Sequence, residues 1–565
     1  MKPTLFDIDA RKKVLRKLSE TLSRPDLEAR IIETAGEIGH ERFSRQAAAD
    51  IVSATRPEAV LPPVYAGYQG IVADGIRFML SRLSVPRIAG LMADQACLPL
   101  DTPAAGRLFL LARKLPTLHK LGLMIARNRH LDPSFRQVLI PLENGPPTVP
   151  MEEIRAFIHQ ALGDSFERLA MEIGPAPLAE ASVGVVVPFS FSPDGRERRR
   201  GVLKVLKPGI RERLREELDI LADLAEHLDR RRHLYPVGAL RFADIFEDIR
   251  AALIQETDLA GEQRKLEKAF RFYHGRGPAR APRSFPFSTP EITAMEFLPG
   301  EKITDAPREP EKRRRLARRL FNSLIWRPLF SMDPLPPFHG DPHAGNLLAH
   351  SGGNTPDPRI GLIDWSLSGT LPRVQRSRLV MVMLGILAEN REMILDGVQA
   401  LSADGEPPDA FRERAAAAVS RIVATSAFSD SGTARKAFVL LDGLAMEGFR
   451  FPPDLLLFRK TFFTLEGVLF DLDPAFDIDA AMMGELAELW VQEAPQRWMA
   501  SIFPVLDRPE NYPSLVSNLE IQNLARHLTM GFLRRGPAMI AGILAAAPGL
   551  VFPFSLQPLL HPSSP

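Results

Sequence analysis

The chain has 565 residues, which is too long for one hydrophobic core and predicts at least two domains. Hydrophobic residues make up 45% and charged residues 25% of the chain, and the net charge of +2 favours no nucleic-acid partner. The single cysteine, Cys97, excludes an intrachain disulfide framework and a cysteine-rich metal site.

The first part of the chain, up to about residue 170, is predicted to be helical. ADGIRFMLSRL and EEIRAFIHQAL both carry apolar residues at a spacing of three and four, which is typical of an amphipathic helix. The start, MKPTLFDIDARKK, has charges where a signal peptide needs an apolar core, so we expect no signal peptide.

The pattern then changes to that of β-strands. ASVGVVVPFSF is rich in β-branched and aromatic residues, GVLKVLKPG alternates, and Asp194-Gly195 between them is a hairpin turn signal. IRERLREELDILADLAEHLDRRR follows as an amphipathic helix, and PEITAMEFLPG reads as a further strand. From about residue 310 the pattern is mostly helical. A small strand-containing unit therefore precedes a larger helical unit.

The segment HGDPHAGN carries residues suited to phosphoryl transfer from ATP. Protein kinases place a catalytic aspartate and a metal-binding asparagine as H-R-D-x-x-x-x-N, followed by D-F-G. Asp341 and Asn346 have that spacing, and Asp364 follows the apolar run RIGLI. We predict that Asp341 orients or deprotonates a hydroxyl group, while Asn346 and Asp364 bind Mg²⁺. Lys204, in the strand VLKV, is predicted to hold the α- and β-phosphates of ATP.

Each of these residues also has an ordinary structural explanation. A single aspartate in a loop usually forms a turn or caps a helix, and a lysine in a strand is usually solvated. His343 is expected to fix its loop by a hydrogen bond rather than to bind metal. The order of Lys204, Asp341, Asn346 and Asp364 along the chain nevertheless favours the kinase interpretation.

Taken together, these motifs resemble those of the UbiB/AarF/ADCK atypical kinases, a protein-kinase-like family linked to coenzyme Q (ubiquinone) biosynthesis. HGDPHAGN is similar to the family's H-x-D-P-H-P-G-N, and VLKVLKPGI to its V-A-V-K-V-x-R-P-G-I. KLGL (Lys120 to Leu123) resembles its K-x-G-Q, and QETDLAGE contains its E-x-D. PLAEASVG resembles the alanine-rich loop that replaces the glycine-rich loop of kinases.

The resemblance implies roles for further residues. Glu262 would pair with Lys204, and Lys120 would contact Glu256 and Asp258 in a regulatory contact over the nucleotide cleft. The remaining residues implied in ATP binding come from the alanine-rich loop and the strand of PEITAMEFLPG: Leu178, Ala179, Ala181, Ser182, Val183, Gly184, Glu296 and Leu298. The implied cofactors are ATP and Mg²⁺.

The resemblance also implies an α+β, bilobal protein-kinase-like fold with a helical N-terminal extension and a largely helical C-terminal lobe. The expected regions are a helical N-terminal region (1–110), a helical extension that carries KLGL and covers the cleft (111–170), an N-lobe (171–300), a C-lobe (301–500) and a C-terminal tail (501–565).

The sequence departs from the family pattern at four places. Leu123 replaces the glutamine of K-x-G-Q, so the helix that covers the cleft is either held by apolar packing or opens more readily. Apolar residues at helical spacing favour packing: Leu118, Leu121, Met124 and Ile125. Glu180 interrupts the small residues of the alanine-rich loop, where it would repel phosphates unless it faced solvent. The metal segment reads Asp364-Trp365-Ser366, and Lys265 stands where an asparagine is expected.

Membrane contact is suggested chiefly by the C-terminal tail. Gly536–Leu560 carries no charge and is long enough to span a bilayer, but Pro548 and Pro553 interrupt it, so a tail packed on the protein is equally expected. The basic runs RERRR and EKRRRLARR are expected to decorate a hairpin and a solvated helix face, with an anionic membrane as the alternative. The expected location is the cytoplasm or the cytoplasmic side of a membrane.

Three functions remain open at this point. The first is an ATP-dependent phosphotransferase or ATPase that supports lipid or quinone metabolism at a membrane, with a lipid or a quinone-pathway protein as partner. The second is a pseudokinase-like module whose partner binding is switched by nucleotide. The third is a small-molecule phosphotransferase of the aminoglycoside type, which HGDPHAGN and IDW also resemble.

Overall fold

The computed structural model describes residues 8–126, 148–235, 241–305, 308–350, 358–403 and 407–535, together with positions 132, 135, 138, 139, 142 and 405. The chain forms two compact units. The first unit comprises Met1–Gly261 and Ser284–Phe297, and the second comprises Glu262–Arg283 and Leu298–Pro565. The chain therefore crosses between the units after Gly261, Arg283 and Phe297.

The described part of the first unit is largely helical. Its α-helices are α1 (Ile8–Ser19), α2 (Arg24–Ile38), α3 (His40–Thr55), α4 (Gln69–Arg82), α5 (Val85–Ala96), α6 (Ala104–Lys114), α7 (Pro116–Ala126), α8 (Met151–Leu162), α9 (Asp164–Arg168), α10 (Ile210–Arg230) and α11 (Phe242–Thr257). Apolar residues at helical spacing, such as Leu27 and Ile31 of α2, pack with Phe43 of α3 and Leu80 of α4 in one buried core.

Antiparallel strands form the sheet of the first unit. They are β1 (Glu172–Ile173), β2 (Ala179–Glu180), β3 (Gly184–Phe191), β4 (Arg199–Leu206) and β6 (Ile292–Glu296). The order is β1-β3-β4-β6, with β2 also paired to β3. The inward side chains of β3 and β4 alternate with outward ones, and Val185, Val187, Leu203 and Val205 pack against Ile158 of α8 in a buried core.

The second unit combines short strands with a larger set of helices. Its strands are β5 (Ala279–Arg280), β7 (Glu301–Lys302), β8 (Pro337–His339), β9 (Leu347–His350), β10 (Arg359–Leu362) and β11 (Ser368–Thr370). Among the described residues, β5, β10, β9 and β7 form one sheet in that order, and β11 pairs with β8. The β8–β11 and β9–β10 pairs are both antiparallel.

Helices make up most of the rest of this unit. They are α12 (Leu259–Tyr273), which begins in the first unit, α13 (Pro310–Phe321), α14 (Arg327–Phe330), α15 (Arg373–Leu387), α16 (Arg391–Leu401), α17 (Pro408–Val423), α18 (Ser426–Ser429), α19 (Thr433–Met446), α20 (Pro453–Leu472), α21 (Ile478–Ile502) and α22 (Asn518–Arg535). A π-helical turn, Asn322–Trp326, joins α13 to α14. Aromatic rings of α19 and α20, among them Phe438 and Phe462, contact each other in the interior.

The local structure predicted from the pattern is confirmed at most of these elements. ASVGVVVPFSF and GVLKVLKPG contain β3 and β4, and Gly195 between them has φ +70°, a conformation that glycine adopts without strain. RERRR is exposed at this hairpin, as expected. EKRRRLARR is not simply a solvated face, because Arg313 donates to Leu472 O and Arg318 pairs with Glu485.

Membrane contact was expected chiefly at the C-terminal tail. The uncharged stretch Gly536–Leu560 lies outside the described residues. Within the part of the chain that the structure describes, no helix has both the length and the apolar character needed to cross a membrane.

Candidate active site

HGDPHAGN forms a short, internally hydrogen-bonded loop between β8 and β9. A 3₁₀ turn, Ala344–Asn346, follows His343, whose Nδ1 accepts a hydrogen bond from Gly345 N at 3.1 Å. His343 therefore fixes the loop, as predicted. Asn346 Nδ2 donates to Asp341 O at 3.1 Å, so the side chain of one candidate residue is tied to the backbone of the other.

Strand pairing brings Asp364 beside this loop. In the antiparallel β9–β10 pair, Leu347 lies opposite Leu362, and Ile363 N donates to Asn346 O at 3.0 Å. The backbone next to Asp364 is thus bonded directly to Asn346. The second unit therefore brings Asp341, Asn346 and Asp364 together, as the kinase-like spacing predicts.

His339 joins the two segments that carry these residues. Its Nε2 lies 3.0 Å from Ile363 O, and its Nδ1 lies 3.2 Å from the amide nitrogen of Asp341. The carbonyl needs a donor and the amide needs an acceptor, so the imidazole is neutral with its proton on Nε2. The side chain is fully buried, and burial lowers its pKa, which agrees with a neutral ring.

Neighbouring residues hold His339 itself. The ring of Trp365 lies 4.8 Å from the His339 ring, centroid to centroid, and Trp365 Nε1 donates to Leu362 O. Thr461 of α20 donates from Oγ1 to His339 O at 2.9 Å. A Cβ added to Gly340 would lie 3.0 Å from Leu367 O, so the close approach of β8 and β11 requires glycine. The large helices therefore support the loop that carries Asp341.

Asp364 has a constrained backbone and a bound side chain. Its φ is +59°, in the left-handed region that non-glycine residues rarely adopt. Its Oδ1 accepts hydrogen bonds from Ser366 N at 3.3 Å and Ser366 Oγ at 2.7 Å. Lys265 Nζ donates to Ser366 O at 2.5 Å. Lys265, which departs from the family pattern, thus contacts the metal segment.

The chemistry of Asn346 and Asp364 fits a magnesium ion. Both offer oxygen atoms, and Mg²⁺ is commonly bound by one or two protein oxygens together with phosphate oxygens and water. Among the described residues, no group of three or more His, Cys, Asp or Glu side chains could hold a metal. A magnesium ion here would take its remaining ligands from phosphate oxygens and water.

The first unit holds the candidate residues for nucleotide binding. Lys204 lies in the middle of β4, between Val186 of β3 and Thr293 of β6, and its side chain is half-buried. The loop that resembles the alanine-rich loop, Leu178–Gly184, runs along β3, since Leu178 N donates to Val186 O at 2.8 Å. It turns tightly at Ala181, whose N donates to Gly184 O at 2.8 Å.

Glu180 was expected to repel phosphates unless its carboxylate faced solvent. The carboxylate is buried instead. Its carboxylate pairs with Lys207 Nζ at 2.8 Å, and the two side chains are 5% and 4% exposed. Both Thr148 N, at 2.8 Å, and the Thr148 hydroxyl donate to it. Burial raises the pKa of the Glu180 carboxyl, but Lys207 and Thr148 outweigh this effect, and the pKa is lowered. Its charge is therefore neutralised inside the protein.

The other side of the loop contacts the predicted regulatory residues. Lys120 forms an ion pair with Glu256, whose other carboxylate oxygen accepts a hydrogen bond from Ser182 Oγ at 2.7 Å. Lys120 was expected near both acidic residues, but the contact is with Glu256. Asp258 instead accepts a hydrogen bond from Gly261 N at 2.8 Å, at the start of α12.

Apolar packing replaces the missing glutamine at Leu123. Leu123 and Ile125 pack against a buried cluster that includes Phe109 and Leu142, and Leu121 packs on a second core. The prediction that helix α7 is held by apolar contacts is thus confirmed for these residues. It is wrong for Met124, whose side chain is exposed.

The remaining candidates are divided between the units. Glu262 is buried in α12 at the start of the second unit, whereas Lys204 belongs to the first. Glu296 ends β6 in the first unit, and Leu298 begins the part of the second unit that follows Phe297. The contact of Lys204 with Glu262 stays a prediction.

Comparison with known proteins identifies the domain. Residues 141–397 match the ABC1 atypical kinase-like domain. This part of the chain is therefore similar to the ABC1 atypical kinase-like domain, as its motifs indicated. An uncharacterized Synechocystis protein is 26% identical over 65% of this chain and 61% of its own length. The chain thus aligns with less than two thirds of that relative.

Other proteins that are similar to this chain carry kinase names. A Xylella fastidiosa protein named probable protein kinase UbiB is 25% identical over 71% of each chain. An Arabidopsis thaliana chloroplast protein named ACTIVITY OF BC1 COMPLEX KINASE 7 is 24% identical over 64% of this chain and 51% of its own. A solved Mycobacterium tuberculosis structure, a complex with erythromycin, aligns over 64% of this chain with TM-score 0.40 and 18% identity.

Sequence reasoning missed three residues at these places. Lys207 and Thr148 hold Glu180, yet they lie 27 and 32 positions from it along the chain. Lys265 was recorded only as a departure, and the structure places its ammonium group on the backbone of the Asp364 segment. No local sequence pattern signals the contacts of Glu180, because its partners lie far from it along the chain.

We expect the His339→Leu variant to lose about 2–4 kcal/mol of unfolding free energy, because Ile363 O and Asp341 N would lose their buried partner. Urea unfolding followed by tryptophan fluorescence measures this, since Trp365 contacts the ring. The matched control is His343→Leu, at a partly exposed position of the same loop. Equal stability of the two variants would contradict the role assigned to His339.

Proposed function

We propose that this protein binds Mg·ATP and acts as an atypical kinase or ATPase that supports lipid or quinone metabolism at a membrane. One observation carries the proposal: Asp341, Asn346 and Asp364 are held together by β-strand pairing and by the two hydrogen bonds of His339. The ABC1 kinase-like domain and the kinase names of its relatives support the same chemistry.

In this proposal the two units correspond to the two lobes of a kinase. Lys204, paired with Glu262, holds the α- and β-phosphates, as in kinases. The nucleotide also contacts the Leu178–Gly184 loop and, through its base, Glu296. A magnesium ion held by Asn346 and Asp364 would neutralise part of the phosphate charge.

Asp341 orients the acceptor hydroxyl group or water molecule and takes up its proton. His343 Nε2 and Lys460 Nζ each lie 3.9 Å from an oxygen of the Asp341 carboxylate. An ionised carboxylate is the form that can accept a hydrogen bond from the acceptor.

A pseudokinase-like module remains the second candidate. The observation that favours it is the double attachment of the Leu178–Gly184 loop, at Glu180 to Lys207 and at Ser182 to Glu256. A loop fixed in this way can bind nucleotide, but it does not need to close over the nucleotide as catalysis would require. The Lys120–Glu256 pair, in motifs that aminoglycoside-type enzymes lack, argues against the small-molecule phosphotransferase.

Membrane contact is supported by an exposed apolar surface at the end of α21. Trp498 is 66% exposed, Ile502 and Phe503 are each 51% exposed, and Val505 is 73% exposed. Large exposed apolar patches mark interaction sites, and tryptophan is favoured at the bilayer interface. This surface and the uncharged stretch Gly536–Leu560 belong to the same end of the sequence.

Substitution of the two aspartates separates binding from turnover. Asp364→Asn is expected to weaken ATP binding by about tenfold or more only when Mg²⁺ is present, because it removes an anionic metal ligand. Asp341→Asn is expected to spare affinity and to lower turnover by about a hundredfold or more, because the transition state uses this carboxylate. Isothermal titration and a phosphate-release or transfer assay measure the two effects.

Asp396→Asn is the control for both variants, because Asp396 forms an exposed ion pair with Arg412. It should match wild type in both assays. An Asp364→Asn variant with unchanged magnesium-dependent affinity would remove the metal assignment. Unchanged turnover in Asp341→Asn would instead favour the pseudokinase-like module.

Lys120→Ala is expected to raise ATP turnover or to shift nucleotide affinity by about fivefold or more, because it frees Glu256 and, through it, Ser182 of the loop. Lys114→Ala provides a matched control, since Lys114 pairs with Asp94 in the same unit. If Lys120→Ala behaves like the control in both assays, the regulatory contact does not operate in this chain.

The double variant Trp498→Ser/Phe503→Ser is expected to reduce co-sedimentation with phospholipid vesicles by about fivefold or more, because it removes apolar side chains that can enter the bilayer interface. Met446→Ser is the control, at an 89% exposed apolar position in helix α19. Equal sedimentation of both variants and wild type would exclude this surface as the membrane contact.

A further inference from the structure

A buried ion pair lies beneath the Leu178–Gly184 loop. Glu180 and Lys207 are 2.8 Å apart and almost fully buried, and Lys207 Nζ also lies 3.3 Å from Thr148 Oγ1. Thr148 in turn donates from its amide nitrogen to Glu180 at 2.8 Å. Three segments that are distant in the sequence therefore meet at one carboxylate.

Lys207 contacts the loop with its main chain as well. Its amide nitrogen donates to Val183 O at 2.9 Å, while its side chain reaches Glu180 on the other arm of the same turn. The turn between these two contacts is closed by the hydrogen bond from Ala181 N to Gly184 O at 2.8 Å. One lysine at the end of β4 thus fixes both arms of the loop.

The surroundings make Glu180 necessary for this arrangement. Arg113 is buried and interacts electrostatically with Glu180, and buried His119 is neutral because burial lowers its pKa to about 4. Lys207 is therefore a buried cation close to another cation, and Glu180 is its carboxylate partner. A charge buried in this way is tolerated only when it is paired and hydrogen-bonded.

We propose that the Glu180–Lys207 ion pair is a positioning element that holds the Leu178–Gly184 loop in the conformation that binds nucleotide. Neither residue touches the nucleotide. The pair acts by fixing the backbone of the loop, and it places the acidic group of Glu180 inside the protein, away from phosphates. The inference rests on the proposed ATP binding for its effect on affinity, but the attachment of the loop can be tested without nucleotide.

The decisive variant is Glu180→Ala/Lys207→Met, which removes the charges of both partners together. We expect it to fold, to show about tenfold or more faster amide hydrogen exchange in residues 178–184, and to bind Mg·ATP about fivefold or more weakly. The charge-reversed Glu180→Lys/Lys207→Glu variant should recover part of both losses if it restores the pair.

A second ion pair of the same sheet supplies the matched control. Arg198 and Glu172 are 2.7 Å apart, but their side chains are 48% and 68% exposed. Glu172→Ala/Arg198→Met should leave both the exchange of residues 178–184 and the affinity for Mg·ATP unchanged. This control separates the effect of the buried pair from that of losing any ion pair of the sheet.

Each outcome decides a separate part of the proposal. Unchanged exchange in the Glu180→Ala/Lys207→Met variant would overturn the attachment of the loop, whatever the nucleotide data show. Faster exchange with unchanged affinity for Mg·ATP would overturn the positioning role. Wild-type protein that binds no ATP would overturn the proposed function and the positioning role with it, while hydrogen exchange would still test the attachment itself.

Discussion

The candidate active site depends on the two hydrogen bonds of His339. This buried imidazole links Ile363 O, next to Asp364, to the amide nitrogen of Asp341. A neutral ring with one donor and one acceptor satisfies both backbone groups at once, which no aliphatic side chain can do. Loss of either bond would leave a buried backbone group unpaired. The positions of Asp341 and Asp364 are therefore coupled through one side chain.

Much of this arrangement can be predicted from the sequence, because it depends on local pattern. Apolar alternation predicts β3 and β4, Asp194-Gly195 predicts the turn, and the spacing from Asp341 to Asn346 predicts the loop. The strand before Asp364 also follows from RIGLI. The role of Lys207 could not be predicted, because its contact with Glu180 joins residues that are not neighbours in any local pattern.

Departures from a family pattern are informative only once their partners are known. Glu180, taken alone, suggests repulsion of phosphates, but its pairing with Lys207 removes that charge from the surface. Lys265 replaces an asparagine of the family pattern, and its ammonium group supports the backbone at Ser366. In both cases a charged residue contributes to the shape of the site and not to its chemistry. The ABC1-like part of this chain therefore differs from the family motifs mainly in how its loops are held.

Helix α7 makes two kinds of contact near the Leu178–Gly184 loop, one apolar and one ionic. The two contacts have different consequences. Leu121 and Leu123 bury apolar surface, so helix α7 stays attached when its charge is removed. The Lys120–Glu256 pair is ionic, and its side chains are 15% and 23% exposed. Because Glu256 also binds Ser182, a change at Lys120 can reach the loop. The ionic contact is therefore suited to regulating the loop, and the apolar contact to holding the helix.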